Sequence, residues 1–470
     1  MRCALLLFAA VLSAQDAELA LRTSVGYNTM RASLPLSPQQ KEQAAALGAQ
    51  AQAAARQGKF GDAIRHYHHG TAVMQGIEWT AEIELAAGLQ AKVDDAIADP
   101  GQKIQLILTP LYSPSQPVQS TLKVSLRQAA AGAQPIPLAV DGKIDSATLP
   151  ARFAVQLPAG AAGDYELVAA LGEAKLAAQR KSVPIQVVNL TQAAAQLKAR
   201  LEKTSHPTAA YALARYRNAE NGVSSPHKID FAKSFTEANK ILDAVAAGAD
   251  PFAGRTGDLS KAYLSAVDQT LQPYRLFVPA NYDPSKPAPL VIALHGMGGN
   301  ENSMFDGYGG TGVLKKEAEK HGFLIACPKG RDTASMYRGA AEQDVMDVLA
   351  EVQKDYKIDA KRIYMMGHSM GGYGTWSIAM KYPEKFAALG PIAGGGDPRG
   401  MEKIKAIPHF IVHGDNDKTV PVTQSRVMVE AGKKLGMKIE YVEVPNGSHV
   451  DIAIPNFGKM FAFFAGQARD

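Results

Sequence analysis

The chain has 470 residues, with 50 Lys and Arg against 45 Asp and Glu and a formal net charge of +5. At ~100–200 residues per domain this length holds several domains, and a small charge excess spread along the whole chain excludes a nucleic-acid surface built on basic composition. The N-terminus comes first. Residues 1–14 carry one early basic residue, Arg2, an apolar run from Ala4 to Leu12, and the small residues Ser13 and Ala14, the pattern of an export signal. A secreted or periplasmic location is expected. The run falls short of the ~20 apolar residues of a membrane span, so no stable membrane insertion is expected. Losing this segment removes Cys3, leaves Cys327 as the other cysteine, and excludes an intrachain disulfide. Cys327 follows an apolar strand, 323–326, and reads as a small buried hydrophobe.

Residues 15–99 form a first region, Ala-rich and helical from Pro38 to Gln75 with a break at Gly58. The phrase from Ala55 to Tyr67 resembles one tetratricopeptide-type hairpin, and a single copy makes no array. His66, His68 and His69 are candidate metal donors by type, but with no Cys or acidic ligand set nearby they read as part of a polar helix face. The pattern changes at Pro100. Lys103–Thr109, Ser120–Arg127, Ala151–Leu157, Asp164–Leu171 and Ser182–Val188 are short alternating runs separated by Pro-, Gly- and Ala-rich turns, which predicts a β-sandwich over residues 100–188. Helical periodicity follows at Leu190–Leu201, Thr208–Asn218 and Asp230–Ala247, a bridge over residues 189–270 into a first strand at Tyr274.

Residues 271–470 carry the chemistry. The β-prone run Arg362–Met366 enters Gly367-His368-Ser369-Met370-Gly371-Gly372, a G-x-S-x-G pattern at a strand-to-helix turn. Such a turn exposes a serine hydroxyl, and the next residue, Met370, can offer its backbone N–H to an oxyanion. On this reading an acid and then a base should follow, each past a strand end. His413-Gly414-Asp415-Asn416-Asp417 follows the strand at Pro408–Val412, and His449 follows the strand at Ile439–Val444. His449 is the base candidate. Asp415 and Asp417 both stand in the acid turn, with Glu443 and Asp451 as outside alternatives. Upstream, Pro289–Leu294 runs into the Gly-rich His295-Gly296-Met297-Gly298-Gly299. A phosphate cradle there lacks the following Gly-Lys-Ser/Thr. Glu342, Gln343 and Asp344 open a helix and read as capping residues, Trp376 reads as core, and Tyr308, Tyr337 and Arg338 are candidate substrate contacts in loops.

Taken in order, Leu294–Gly299, Glu342–Val345, Ile358–Tyr364, Gly367–Trp376, His413–Pro421 and Gly447–His449 resemble the esterase branch of the α/β-hydrolase superfamily, which includes polyhydroxybutyrate depolymerases, feruloyl esterases and "predicted peptidase" carboxylesterases. The resemblance covers under half of the chain. It implies an α/β fold with a mostly parallel sheet flanked by helices, preceded by helical and β-sandwich regions, the latter similar to the Ig-like accessory domain of some secreted esterases. By resemblance to the family's His-Gly-x-x-Asp-x-x-Val-Pro loop, the acid is Asp417, with Asp415 stabilising the turn. Met297 supplies the second oxyanion N–H on the same ground. The implied activity is serine carboxylesterase action on short-chain, aryl, feruloyl or polyester-type esters, by attack of Ser369 with His449 as base, with no metal and no organic cofactor. The partner is then a small-molecule or polymer ester. The short segment between the strands at 386–392 and 408 leaves no room for a large lid, so an accessible ester is favoured. The alternatives are a prolyl oligopeptidase-like serine peptidase, for which no propeller repeat is visible, and a non-catalytic scaffold.

Overall fold

The computed structural model describes residues 19–130, 132–140, 142–307, 312–332 and 334–469. The expected export signal and Tyr308 lie outside these. Two compact units emerge among the described residues, the first from residue 19 to 196 with 213–235, and the second from 197 to 212 with 236–469.

The first unit begins with helices α1 (residues 19–33), α2 (Pro38–Arg56), α3 (Phe60–Met74) and α4 (Ala81–Ala87). Helix α2 starts at Ser37, whose Oγ accepts from the Gln40 N–H while the Gln40 side chain accepts from the Ser37 N–H; this reciprocal cap satisfies two otherwise orphaned donors. Tyr27 of α1, Ala44 and Ala51 of α2 and Tyr67 and Met74 of α3 form the core of the hairpin. Strands β1 (Leu89–Val93) and β2 (Ile97–Ala98) then open the sandwich, ahead of its expected start at residue 100. Each is too short to show a period beside the helical run before it. β3 (Lys103–Pro110), β4 (Gln119–Gln128), β5 (Ile136–Leu138), β6 (Lys143–Asp145), β7 (Ala151–Gln156), β8 (Gly163–Leu171) and β9 (Arg180–Val187) complete two sheets. Their orders are β1-β3-β7 and β2-β9-β8-β4-β5, with β6 paired to β4. The alternation in β8 and β9 aims Leu167, Ala169, Val183 and Ile185 at Leu106, Leu108 and Val155 of the other sheet, so one apolar layer closes both faces. Helices α5 (Thr191–Leu201), α6 (Pro207–Glu220) and α7 (Phe231–Ala246) follow, and the division between the units falls inside all three.

The second unit holds an eight-stranded sheet of β10 (Gly257–Leu264), β11 (Leu271–Val278), β12 (Ala288–Leu294), β13 (Leu324–Pro328), β14 (Ile358–His368), β15 (Ala388–Ile392), β16 (His409–Gly414) and β17 (Ile439–Val444), in the order β10-β11-β13-β12-β14-β15-β16-β17. β10, β11 and β13 pair antiparallel and the rest parallel. This is the mostly parallel sheet that the resemblance implies. It starts at Gly257, inside the stretch read as a helical bridge and ahead of the first strand expected at Tyr274. The reason is Lys261, whose side chain points inward to an ion pair with Asp355 and lies over the Phe252 ring, 3.8 Å from its centroid; a lysine at an inward position erases the apolar alternation that marks a strand.

Helices α8 (Ser303–Asp306), α9 (Val313–His321), α10 (Ala340–Asp355), α11 (Met370–Ala379), α12 (Thr423–Lys434) and α13 (Ile454–Ala465) surround the sheet. Leu314 and Ala318 of α9 and Phe457, Met460, Phe461 and Phe464 of α13 share a core with Val291, Ile325, Tyr364, Met366, Phe410 and Val412. Because β12, β13, β15 and the Ile363–Met366 part of β14 are covered on both faces they read as apolar runs. Cys327 is buried in this core as a free thiol, and Trp376 is fully buried on α11. Between β15 and β16 the chain makes only a 3-10 turn at Pro398–Ile404, with no lid subdomain.

Candidate active site

The strand order changes direction around β12 and β13, and ligands of open α/β sheets bind beyond the carboxyl ends of strands near such a switch. Ser369 follows β14 there, with φ 56° and ψ −117°, a positive φ that a residue with a side chain adopts only under strain. The neighbouring glycines permit it. A Cβ on Gly367 would meet the Gly371 carbonyl oxygen at 2.3 Å, and one on Gly371 would meet the Leu294 oxygen at 2.2 Å. The G-x-S-x-G pattern is thus a requirement for backbone-to-backbone contact. The Ser369 N–H is anchored on the Ile392 carbonyl at 2.9 Å.

The three residues expected as nucleophile, base and acid are brought together from three strand ends. His449 Nε2 lies 2.9 Å from Ser369 Oγ, and His449 Nδ1 lies 2.6 Å from Asp417 Oδ2. Asp417 Oδ1 accepts from the N–H groups of Thr419 and Val420 at 2.8 and 2.9 Å. Burial alone would raise this carboxyl, but the His449 bond and the two N–H donors outweigh it and hold it below the ordinary carboxylate range. The other acids are engaged elsewhere. Asp415 accepts from the Asn446 N–H at 2.6 Å and so pins the turn, Asp451 accepts from the Ser448 N–H, and Glu443 pairs with Arg426.

The loop after β12 passes over the serine, since a Cβ on Gly296 would lie 3.4 Å from the Ser369 Cβ. Met297 is the next residue, with its side chain 65% exposed. His295 is buried beneath, its Nε2 2.7 Å from the Lys329 carbonyl. Met370 is the first residue of α11.

Two buried histidines support this arrangement and were not singled out in the sequence. His368 Nε2–H donates to the His449 carbonyl at 2.7 Å, and its ring lies 4.9 Å from that of His449. Burial pushes its pKa down to about 4, so it is neutral at neutral pH. His413 faces the Val420 carbonyl and Asp417 Oδ2 with Nε2, at 2.9 and 3.3 Å, and Ser425 Oγ with Nδ1 at 2.7 Å. A polar ring inside an otherwise apolar strand end is the signal that marks both, because such a ring needs buried partners.

Other candidates take different roles. Tyr337 is fully buried, with its hydroxyl donating to the His295 carbonyl at 3.3 Å, so it props the loop and is no open substrate contact. Asp344 accepts from Tyr263 Oη at 2.8 Å and pairs with Arg331 at 2.6 Å; it is a buried anchor, whereas the sequence suggested a helix cap. Glu342 pairs with Lys381. Among the described residues no three His, Cys, Asp or Glu side chains converge as metal donors, and no helix is long and apolar enough to cross a membrane.

Comparison with known proteins finds similarity to esterases in this region. Residues 331–464 match the PET hydrolase-like family, and residues 276–385 match the family described as BD-FAE. A bifunctional acetylxylan esterase/xylanase of Neocallimastix patriciarum is 29% identical over 32% of this chain and 22% of its own length. A probable feruloyl esterase C of Aspergillus terreus is 28% identical over 39% of this chain and 66% of its own. The chain therefore spans between about a fifth and two thirds of these curated relatives. Among solved structures, a thermostable esterase is 21% identical, covers 80% of this chain and 99% of its own, and gives a TM-score of 0.43.

Proposed function

We propose that this chain is a serine carboxylesterase that cleaves carboxylic esters through an acyl-enzyme. The observation that carries the reading is the unbroken line of hydrogen bonds from Asp417 through His449 to Ser369, at 2.6 and 2.9 Å, ending on a strained serine. Ser369 Oγ attacks the ester carbonyl while His449 Nε2 takes its proton. Asp417 holds the imidazole in the tautomer that leaves Nε2 free to accept, and it stabilises the imidazolium that forms. The N–H groups of Met297 and Met370 receive the oxyanion. His449 then protonates the departing alcohol, and water repeats the attack to release the acid.

The esterase relatives support an ester substrate, of short-chain, aryl, feruloyl or polyester type. The short β15–β16 connection supports an accessible cleft. A peptidase of the prolyl oligopeptidase type is disfavoured, because the N-terminal unit is a helical region with a sandwich and shows no propeller blade among its described residues. We read the sandwich as an Ig-like accessory domain, supported by the grouping of β1, β3 and β7 against β9, β8 and β4, which matches strands A, B and E against G, F and C of that fold. Residues 1–14 support export.

The test is covalent labelling by a fluorophosphonate together with turnover of a short-chain aryl ester. Labelling and turnover are expected in the native chain and absent in Ser369→Ala. A folded native protein that neither labels nor turns over sinks the proposal.

A further inference from the structure

The histidines His66, His68 and His69 of α3 do not act as a cluster. His68 is partly buried, and that desolvation pushes it down to about 3. His66 and His69 line a cavity of about 550 Å³ in the N-terminal unit, together with Trp79, Arg65, Gln50 and Gln116. That volume lies within the range of small-molecule sites.

The chemistry of the wall narrows the ligand. His69 stacks on Trp79, with ring centroids 5.0 Å apart and planes 12° apart; together they give an aromatic surface with polar edges. Charge is offset. Glu84 is buried, accepts from the Ser115 N–H and Oγ–H at 3.0 and 2.5 Å, and faces Arg65 at 3.7 Å. Burial lowers both His66 and His69, so both are neutral at neutral pH. A phosphate, a carboxylate or a metal cation thus meets no uncompensated opposite charge. The exposed amides of Gln50 and Gln116 each supply two donors and an acceptor. An aromatic wall beside neutral, two-sided hydrogen-bonding groups suits a molecule with an apolar C–H face and a rim of hydroxyls. A pyranose ring is such a molecule.

We propose that this cavity binds a neutral pyranose chain, so that the N-terminal unit anchors a polysaccharide. The pairing of this anchor with cleavage of esters on the same polymer rests on the esterase reading; the binding itself does not. Tethering of this kind raises the local concentration of polymer-borne esters without a new contact at the catalytic serine.

The chain has two tryptophans, and Trp376 is fully buried in the other unit, so a ligand at the cavity is read through Trp79 fluorescence. The full-length chain is titrated with xylohexaose, cellohexaose and trigalacturonate. A saturable change with a neutral hexasaccharide is expected, with binding weakened about three- to tenfold in His69→Ala and also weakened in Gln50→Ala, an exposed site that leaves the fold alone. Turnover of a small aryl ester should be unchanged in both variants. No saturable change with either neutral sugar, equal binding in both variants, or a preference for trigalacturonate overturns the proposal. The titration is repeated on Ser369→Ala. An inactive native enzyme whose Trp79 signal still saturates would refute the esterase reading and leave the anchor standing.

Discussion

Replacing Asp417 by Asn tests the site at its most constrained point. Oδ1 accepts from two backbone N–H groups, while Oδ2 faces His449 Nδ1 and His413 Nε2. An asparagine must therefore place its carbonyl oxygen at Oδ1, because an amide NH₂ there would meet two donors. Its NH₂ then stands opposite His449 Nδ1, which can only accept from it. The proton of the neutral imidazole is forced onto Nε2, pointing at Ser369 Oγ, and the base has nothing left to accept with. A loss of kcat of about 10⁴ is expected, as for the same substitution in the serine protease triad, or about 5 kcal/mol of transition-state stabilisation. KM should change little, since Asp417 is buried and touches no substrate. Steady-state kinetics on a short-chain aryl ester, with circular dichroism to confirm folding, reads the effect. A folded Asp417→Asn enzyme that keeps more than a tenth of the native kcat would refute the assignment of Asp417 and the tautomer argument with it.

Three further outcomes follow from the same geometry. His368→Leu leaves the His449 carbonyl without its 2.7 Å donor, an unpaired buried acceptor worth ~1–3 kcal/mol; kcat should fall about 10- to 100-fold with KM unchanged, and His368→Gln should recover most of it. An equal loss in both variants would show that packing alone matters. Gly371→Ala drives a Cβ to 2.2 Å from the Leu294 oxygen, so urea unfolding should show a loss of ~1–3 kcal/mol or more and kcat/KM should collapse; a native-like variant would mean that the elbow is looser than described. His409 is fully buried at the start of β16 and is pushed down to about 4 by burial, while the unfolded chain titrates near ~6.5. The unfolded state binds more protons between those values, so this stability is present above ~6.5 and is lost as pH falls toward 4, about 2 kcal/mol of it between pH 7 and 5. Urea unfolding at both pH values should show a smaller drop in His409→Asn than in the native chain, and equal drops would exclude His409 as a source of the acid sensitivity.

The second unit was more legible than the rest for a physical reason. Its parallel strands are covered on both faces where they cross the core, so β12, Ile363–Met366 of β14 and Phe410–Val412 of β16 appear as apolar runs, and each strand hands over to a turn whose residue types are dictated by close backbone contact. Gly367 and Gly371 are there because backbone atoms occupy the space of a side chain, and that requirement survives in any sequence with this turn. What escaped notice depends on pairing between distant segments. Lys261 turns inward because Asp355, 94 residues later, receives it, and no local pattern shows this. Tyr337 looked like a loop residue open to substrate until Gly330 and Gly374 left room for its ring. β1 and β2 hide behind a helical region because five- and two-residue strands carry no period.

The same distinction explains why the two supporting histidines matter. Ser369 and His449 could be named from order and spacing, and Asp417 from resemblance to the family's acid loop, but their separations cannot be held by the loops that carry them alone. His449 stands on a loop fixed through its own carbonyl by His368, the neighbour of Ser369 in the sequence. Asp417 stands in a turn whose Val420 carbonyl is held by His413, from the strand before it. His449 and Asp417 are thus each tied to the end of a rigid strand by a neutral imidazole, and Ser369, His449 and Asp417 share one frame. Loss of either support should therefore reach kcat before it reaches substrate binding, because what it disturbs is alignment among the three groups and not the space the ester occupies.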